Sequence, residues 1–359
     1  MRAMGDGPRI SFLTTAYQTE KVVAETIDSV LAQTIQDWEL IVVDNGRSDD
    51  MAAVVERYTS DDRIKLIRQD NRGYVGGVMA ASEAARGRYI TVLDSDDIVM
   101  PRFADKVTAL LDAHPEVAAV TIDAYRIDDE GVLPTSFLRS IGVKRKPNPS
   151  RPLTLTALAG GFVPYYCGAV RREIWDEVGG YETDVDGVEA DVLFWARVVS
   201  HHDVRVIPEQ LACYRLRSDS LSRHPELEDA FQERLEKSFL ELGNISDDST
   251  RATEAALESN LRQLRYLRSI AHARQALLDA DDVTARRGAR EEWAQRKTLR
   301  GALILVLVTL SPGTLRRVHP VKQRVTHSWN RIFRKLTNRF RTAPQQVLSA
   351  NTDPPSVDR

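Results

Sequence analysis

Only two cysteines, Cys167 and Cys213, occur in 359 residues. That excludes a disulfide framework or a cysteine-built zinc site and fits a reducing compartment. Long apolar runs are also lacking. The longest, Gly301–Leu310, is about half the ~20 residues a spanning helix needs. Met1–Arg9 has no apolar stretch, so no secretory leader is expected. No repeat of roughly 20–50 residues is visible. There is no phosphate-binding Gly-x-x-x-x-Gly-Lys-Ser/Thr loop, and Gly73–Gly77 lacks the Gly-x-Gly-x-x-Gly order. Net charge is scarce too, at −3, but its distribution is uneven. Residues 1–295 carry 36 basic and 50 acidic side chains, whereas residues 296–341 carry twelve Lys or Arg and no acid. With 42% hydrophobic residues the chain is too apolar to be disordered.

What is present in the first 125 residues is an alternation of strand and helix patterns. Apolar runs at Ile10–Thr14, Glu39–Val43, Ile64–Arg68, Tyr89–Leu93 and Val117–Ile122 read as strands. Helical spacing falls at Val22–Leu31, Met51–Tyr58, Val75–Ala85 and from Pro101 to about Ala113. This predicts an α/β fold with a mostly parallel sheet flanked by helices. Asp128–Pro152 is polar and proline-bearing and reads as a loop over a site; Leu153–Arg223 reads as mixed short elements. From Pro225 onward the pattern is helical, with Leu227, Phe231, Leu235 and Phe239, then Leu257, Leu261, Leu264, Leu267 and Leu278. The expected organisation is a nucleotide-sugar-binding domain over 1–224, a helical region over 225–342 and a disordered tail over 343–359.

In open parallel sheets, ligands lie beyond the carboxyl ends of the strands. Three polar clusters fall there: Thr14-Thr15-Ala16-Tyr17, Asp44-Asn45-Gly46 and Asp94-Ser95-Asp96-Asp97. Three carboxylates within four residues repel unless a cation joins them, and oxygen-only ligation suits Mg²⁺ or Mn²⁺ shared with substrate phosphates. A solvated turn or helix cap is the plainer alternative.

The ordered set Ile10-Ser-Phe-Leu-Thr-Thr-Ala-Tyr17, Ser29-Val-Leu-Ala-Gln-Thr34, Trp38-Glu-Leu-Ile-Val-Val-Asp44, Asn71-Arg-Gly73, Leu93-Asp-Ser-Asp-Asp97, Arg171–Tyr181, Asp191–Arg197 and Tyr214–Arg217 closely resembles family 2 glycosyltransferases. The resemblance covers about residues 9–223. It implies a GT-A fold and transfer of one sugar from a nucleotide-diphosphate sugar. By it, Thr15, Tyr17, Glu20, Asp44, Asn71, Asp94, Ser95 and Arg217 would bind the nucleotide, with Asp44 at the base and Asp94 at the ribose. Asp96, with Asp94, would ligate the metal. An inverting reaction needs a carboxylate base, and the family's acidic pair maps to Asp191, with Ala190 in the first position and Glu189 as the reserve. Other departures are Thr15 and Gln18 around Tyr17, Asn45 after Asp44, Val78 and Met79 where a basic residue is expected, and Arg217 in place of a histidine. The signature of processive synthases is absent after Asp191, so single addition is expected.

Cys167, Cys213, Trp175, Trp195 and Tyr181 read as packing groups. In the basic segment, Val321, Val325, Trp329, Ile332, Phe333, Leu336 and Phe340 share one helical face and cations fill the rest. Residues 296–341 therefore suit an anionic membrane surface, or else pack on the acidic body. No nucleic-acid signature accompanies them. The expected protein is a metal-dependent, inverting glycosyltransferase, cytoplasmic and peripheral at the inner face of the plasma membrane, with a saccharide or glycolipid acceptor. The rivals are a catalytically impaired sugar-nucleotide-binding protein, suggested by Ala190, Asn45 and Arg217, and a nucleotidyltransferase.

Overall fold

The computed structural model describes residues 7–182, 190–217, 228–242, 250–295, 297 and 299–316. Glu189, the expected boundary at His224-Pro225, Leu227, the basic face beyond residue 316 and the tail lie outside the described residues.

The chain begins with β1 (Ile10–Ala16), α1 (Val23–Leu31), β2 (Trp38–Asn45), α2 (Asp49–Val55), β3 (Ile64–Gln69), α3 (Gly73–Ala84) and β4 (Tyr89–Val92). Then come β5 (Ile98–Val99), α4 (Phe103–Ala113), β6 (Val117–Asp128), β7 (Gly131–Val132), α5 (Phe137–Ser140) and α6 (Leu155–Ala159). β8 (Ala169–Arg171), α7 (Arg172–Glu177), α8 (Ala190–His201) and β9 (Asp203–Arg215) complete the α/β body. Among the described residues four helices follow: α9 (Glu228–Leu242), α10 (Arg251–Leu278), α11 (Asp282–Gln295) and α12 (Leu299–Leu310).

One sheet runs in the order β3-β2-β1-β4-β8-β6-β9-β5, with β7 paired to β6. The parallel pairing expected from the alternation holds through β3-β2-β1-β4. Beyond β4 the sheet is mixed. β8 pairs antiparallel with β4 and β6, β5 with β9, and β6 with β9 in parallel. β2 is buried at every residue, which is why it reads as an unbroken apolar run.

Each face of the sheet carries its own core. On one, Val23, Ile27 and Val30 of α1, Met51 and Val55 of α2 and Phe103, Val107 and Leu111 of α4 pack on Phe12, Leu40 and Val42. On the other, Val78 and Ala81 of α3, Trp175, Tyr181 and the α8 residues Phe194 and Trp195 pack on Leu13, Ile41 and Val43. Phe239 and Leu242 of α9 and Leu261 of α10 belong to this second core, so the first C-terminal helices seat directly on the α/β body. Cys167 and Cys213 are buried.

Within α10, Leu257, Leu261 and Leu264 form the stripe that meets the body, whereas Leu267 and Leu278 are exposed. One reading changes. The polar stretch 128–152 is pinned rather than a bare loop. It forms β7 and α5, and the Asp123 carboxylate accepts the Leu138 backbone N–H at 3.0 Å.

Candidate active site

β2, β1 and β4 are neighbours, so Asp44, Thr15 and Asp94 emerge side by side at one edge of the sheet. Buried polar contacts fix this edge. The face of α1 turned to the sheet carries Thr26 and Ser29, and Gln33 follows just beyond the end of the helix. Thr26 Oγ1 donates to the Asp97 carbonyl (2.8 Å), Ser29 Oγ accepts the Val99 N–H (3.2 Å), and Gln33 Nε2 donates to the Met100 carbonyl (2.9 Å). These side chains tie the segment after β4 to α1, which gives the Ser29–Thr34 motif its structural meaning.

The loops are laced together at their mouths. Thr19 donates to Ser95 Oγ at 2.8 Å, and Ser48 donates to Glu20 Oε1 at 3.0 Å. The Tyr17 side chain is half-exposed and its ring lies against Gly46, where a Cβ would come within 3.0 Å of it. Gln18 and Arg47 follow in left-handed backbone, at φ 57° and 49°, a conformation more typical of turns and functional loops than of regular elements. Thr15 packs against α3 at Gly77, and its hydroxyl is buried without a hydrogen-bond partner.

Asp44 is buried with its carboxylate engaged: one oxygen accepts the Ser48 N–H at 3.0 Å, the other the Arg68 Nε at 3.1 Å. Asn45 and Asn71 shape the adjacent loop. Asn45 donates to the Gly73 carbonyl (2.8 Å) and accepts from Gln69 (2.7 Å) and the Arg72 N–H (3.2 Å). An aspartate could not make the first of these bonds, so asparagine at 45 fits the loop it holds. Asn71 accepts the Gly73 N–H at 2.9 Å, a turn-stabilising contact.

The three acidic residues after β4 separate by environment. Asp97 is buried and points inward; it accepts from Tyr165 (2.6 Å), from Tyr166, and from the Arg215 N–H (2.7 Å). Burial, followed by repulsion from Asp96 and Asp94, pushes its carboxyl well above the usual range. Asp94 accepts from the Tyr74 hydroxyl at 2.9 Å. Burial first, then the Asp96 charge, raises it to about 7, with a smaller push from Asp191. Asp191 stands in the first turn of α8, where the positive helix end favours an anion. Its charge is also felt by Tyr74 and Tyr181, so α8 delivers it to the Asp94 neighbourhood from almost a hundred residues away in sequence.

Arg215 binds the Asp96 carbonyl through Nε (2.7 Å) and Glu25 through a terminal nitrogen (2.6 Å). Arg217 lies 3.9 Å from the Asp96 carboxylate and donates to the Gln18 carbonyl at 3.4 Å, joining the β1 loop to the acidic loop. Sequence reasoning missed Tyr74, Tyr165 and Tyr166 because their role depends on neighbours distant in the chain. The adjacent pair Tyr165-Tyr166 carried no spacing signal.

No group of three or more His, Cys, Asp or Glu that could hold a metal occurs among the described residues. Asp94 and Asp96 repel one another across the same opening, and that donor set suits a hard divalent cation completed by substrate phosphates rather than one enclosed by protein. Concavities of about 650 Å³, between β6, β9 and α5, and about 270 Å³, between α9, α10 and α11, have no candidate residue in their walls.

Residues 11–179 match the family model described as Glycosyl transferase family 2. The putative glycosyltransferase EpsE of Bacillus subtilis (strain 168) is 32% identical over 152 residues, 41% of this chain and 55% of that protein. The chain thus spans about half the length of EpsE. An uncharacterized glycosyltransferase of Nostoc sp., alr2836, is 26% identical over 266 residues, covering 73% of this chain and 82% of that one. Among solved structures, S. aureus TarS 1–349 matches with a TM-score of 0.58 at 16% identity, covering 88% of this chain and 91% of that one. The mannosyltransferase PcManGT of Pyrobaculum calidifontis matches with a TM-score of 0.58 at 17% identity, covering 94% and 90%. These two likenesses speak to the fold. The family match and these relatives together support a glycosyl transferase family 2 assignment for residues 11–179, just under half of the chain.

Proposed function

We propose that this glycosyltransferase moves one sugar, with inversion at the anomeric carbon, from a nucleoside-diphosphate sugar to a hydroxyl of a saccharide or glycolipid. The observation that carries the reading is that Asp191, in the first turn of α8, lies close enough for its charge to act on Asp94 and on Tyr74 and Tyr181, with Tyr74 bonded to Asp94 and packed on the Tyr181 ring. Structures of TarS in complex with UDP and with UDP-GlcNAc, and of PcManGT with GDP-Man and Mn²⁺, lend support by analogy of fold.

In this reading the nucleotide lies over the ends of β1 and β2, against Thr15, Tyr17, Glu20 and Asp44. The Tyr17 ring offers a stacking face. The held Asp44 carboxylate keeps lone pairs for a base N–H. Asn71 acts through the loop it closes. Asp94 and Ser95 face the ribose, and Asp94 with Asp96 would hold Mg²⁺ or Mn²⁺ beside the diphosphate. When bound, such a cation offsets the charge developing on the departing diphosphate. Arg217 presents a planar pair of donors to the same oxygens. Asp191 accepts the proton of the attacking hydroxyl, and Glu189 is the reserve. The transferase domain is assigned to 1–224, the helical region to 225–342 and the tail to 343–359. The basic region 296–341 supports a peripheral location at the inner, cytoplasmic face of the plasma membrane, which in turn favours a lipid-linked acceptor.

Donor turnover with Mn²⁺ tests the reading: nucleoside diphosphate as product supports it, and pyrophosphate indicates nucleotidyl transfer. Asp191→Asn is expected to lower kcat by about 10²–10⁴-fold while donor-induced thermal stabilisation persists. An unchanged kcat would remove Asp191 as the base. The closeness of Arg217 to Asp96 favours a second reading, donor binding without turnover, which predicts stabilisation and neither product.

A further inference from the structure

α12 carries one charged residue, Arg300, in its first turn; from Gly301 to Leu310 it has no charge and, apart from Thr309, is apolar. Such a helix is ordinarily enclosed on all sides. Among the described residues only one side is. Val308 is buried, and Ile304 and Leu305 pack with it against Ala276, Leu277, Ala285 and Ala289 of α10 and α11. On the opposite side Leu299, Leu303, Val306 and Leu310 are 94%, 59%, 50% and 78% exposed. Their spacing of four, three and four residues puts them within an arc of roughly 60°, a continuous stripe along the helix. Single exposed leucines are common; a whole stripe on a helix whose one charged residue is Arg300, in its first turn, marks an interaction surface.

We infer that this stripe is the surface by which the protein docks on an anionic lipid bilayer. The inference deepens the membrane part of the reading above by naming the inserting side chains. Charge argues for lipid as the occupant. From Arg296 to Arg341 there are twelve basic residues and no acid, so the stripe lies inside a purely cationic segment. At the entry to α12, the Lys297 ammonium stands 5.6 Å from the centre of the part-exposed Trp293 ring, an aromatic and a cation of the kind that settle at headgroup level. Length argues for lying on the bilayer rather than crossing it. Twelve residues rise about 18 Å against a hydrocarbon core of about 30 Å, and no helix among the described residues is long and apolar enough to span. The apolar stripe enters the acyl boundary while its cationic flanks meet anionic headgroups.

The full chain and the triple variant Leu303→Ser, Val306→Ser, Leu310→Ser are compared for sedimentation with vesicles containing phosphatidylglycerol and with vesicles of phosphatidylcholine alone. The parent is expected to sediment with the anionic vesicles, less so in high salt, and the variant to lose at least about tenfold in partitioning at unchanged melting temperature. Because Cys167 and Cys213 are buried, an environment-sensitive dye placed by Leu303→Cys reports the stripe alone and keeps the test valid if the triple variant misfolds. A blue shift on adding anionic vesicles supports insertion. No shift, or variant binding equal to the parent, overturns the inference. A parent dimer that the triple variant makes monomeric, without vesicle binding, assigns the stripe to a second copy instead. A dye already shielded without vesicles, and exposed when residues 317–359 are removed, assigns it to the chain's own C-terminal segment. Nucleoside diphosphate release, measured separately, reports on the transfer reading, so the two can fail independently.

Discussion

Asp94, Asp96 and Asp97 show how neighbours in sequence acquire different duties from their surroundings. Asp97 points into the core and is held by two tyrosine hydroxyls and the Arg215 N–H, which makes it a clasp between the acidic loop and β9. Asp94 and Asp96 are only half-buried. A similar clasp, at Glu39, governs the far end of the strands. There the carboxylate accepts from Ser11 (2.7 Å), the Arg86 N–H (2.5 Å) and Lys65 (3.1 Å). Burial alone would raise this group, but the hydrogen bonds and the Lys65 charge together outweigh it and leave it below its ordinary 4.5. A depressed folded-state value means that the stabilisation is present above about pH 4.5 and is lost as pH falls through the lower folded-state value. Glu39→Gln is therefore expected to cost about 1–3 kcal/mol at pH 7, and the gap between variant and parent should shrink in acid. Denaturant titrations at the two pH values check this; an equal gap at both would show that the charge is not what stabilises.

Among the elements, α3 and β1 make the closest approach that bears on the site. A Cβ at Gly77 would lie 2.3 Å from Thr15 Cγ2 and 2.7 Å from its hydroxyl. Gly77→Ala sets two effects against each other. Helix propensity favours alanine by roughly 1 kcal/mol, whereas overpacking a closed contact costs about 1–3 kcal/mol. Thr15 is β-branched and sits on a central strand, so it cannot swing away, and the clash should prevail. The expected result is a lower melting temperature together with weakened donor binding, because the residue displaced is Thr15; equal stability and affinity would refute the close packing. The strands β1 to β4 were legible in sequence because burial on both faces makes them apolar runs. β9 was not. Its pairing with β6 shifts register between Ile122 and Asp123, with Ile207 and Gln210 as their partners, so Pro208 and Glu209 bulge out and break the pattern a strand would show.

At the scale of the whole molecule, the C-terminal helices join the core of the α/β body on one side, and among the described residues α12 is open on the other. Leu261 of α10, 8% exposed, shares the second core with Trp175, Tyr181 and Trp195 beneath α8, the helix that carries Asp191. Leu261→Ala is expected to cost about 2–5 kcal/mol and to lower the melting temperature of the α/β body in one cooperative transition. A separate, earlier transition for the helices would show instead that they are independent.

The order of elements in the parallel half, the clusters at its strand ends, the family and the cationic segment were determined by local pattern, because burial and turn chemistry leave marks at short range in the sequence. Which of three adjacent aspartates turns inward, which tyrosines surround Asp94, how Asp191 reaches it, and which side of α12 is left bare were decided only by tertiary structure. Each depends on what strand order and helix packing bring alongside, and no residue's own sequence neighbourhood records that.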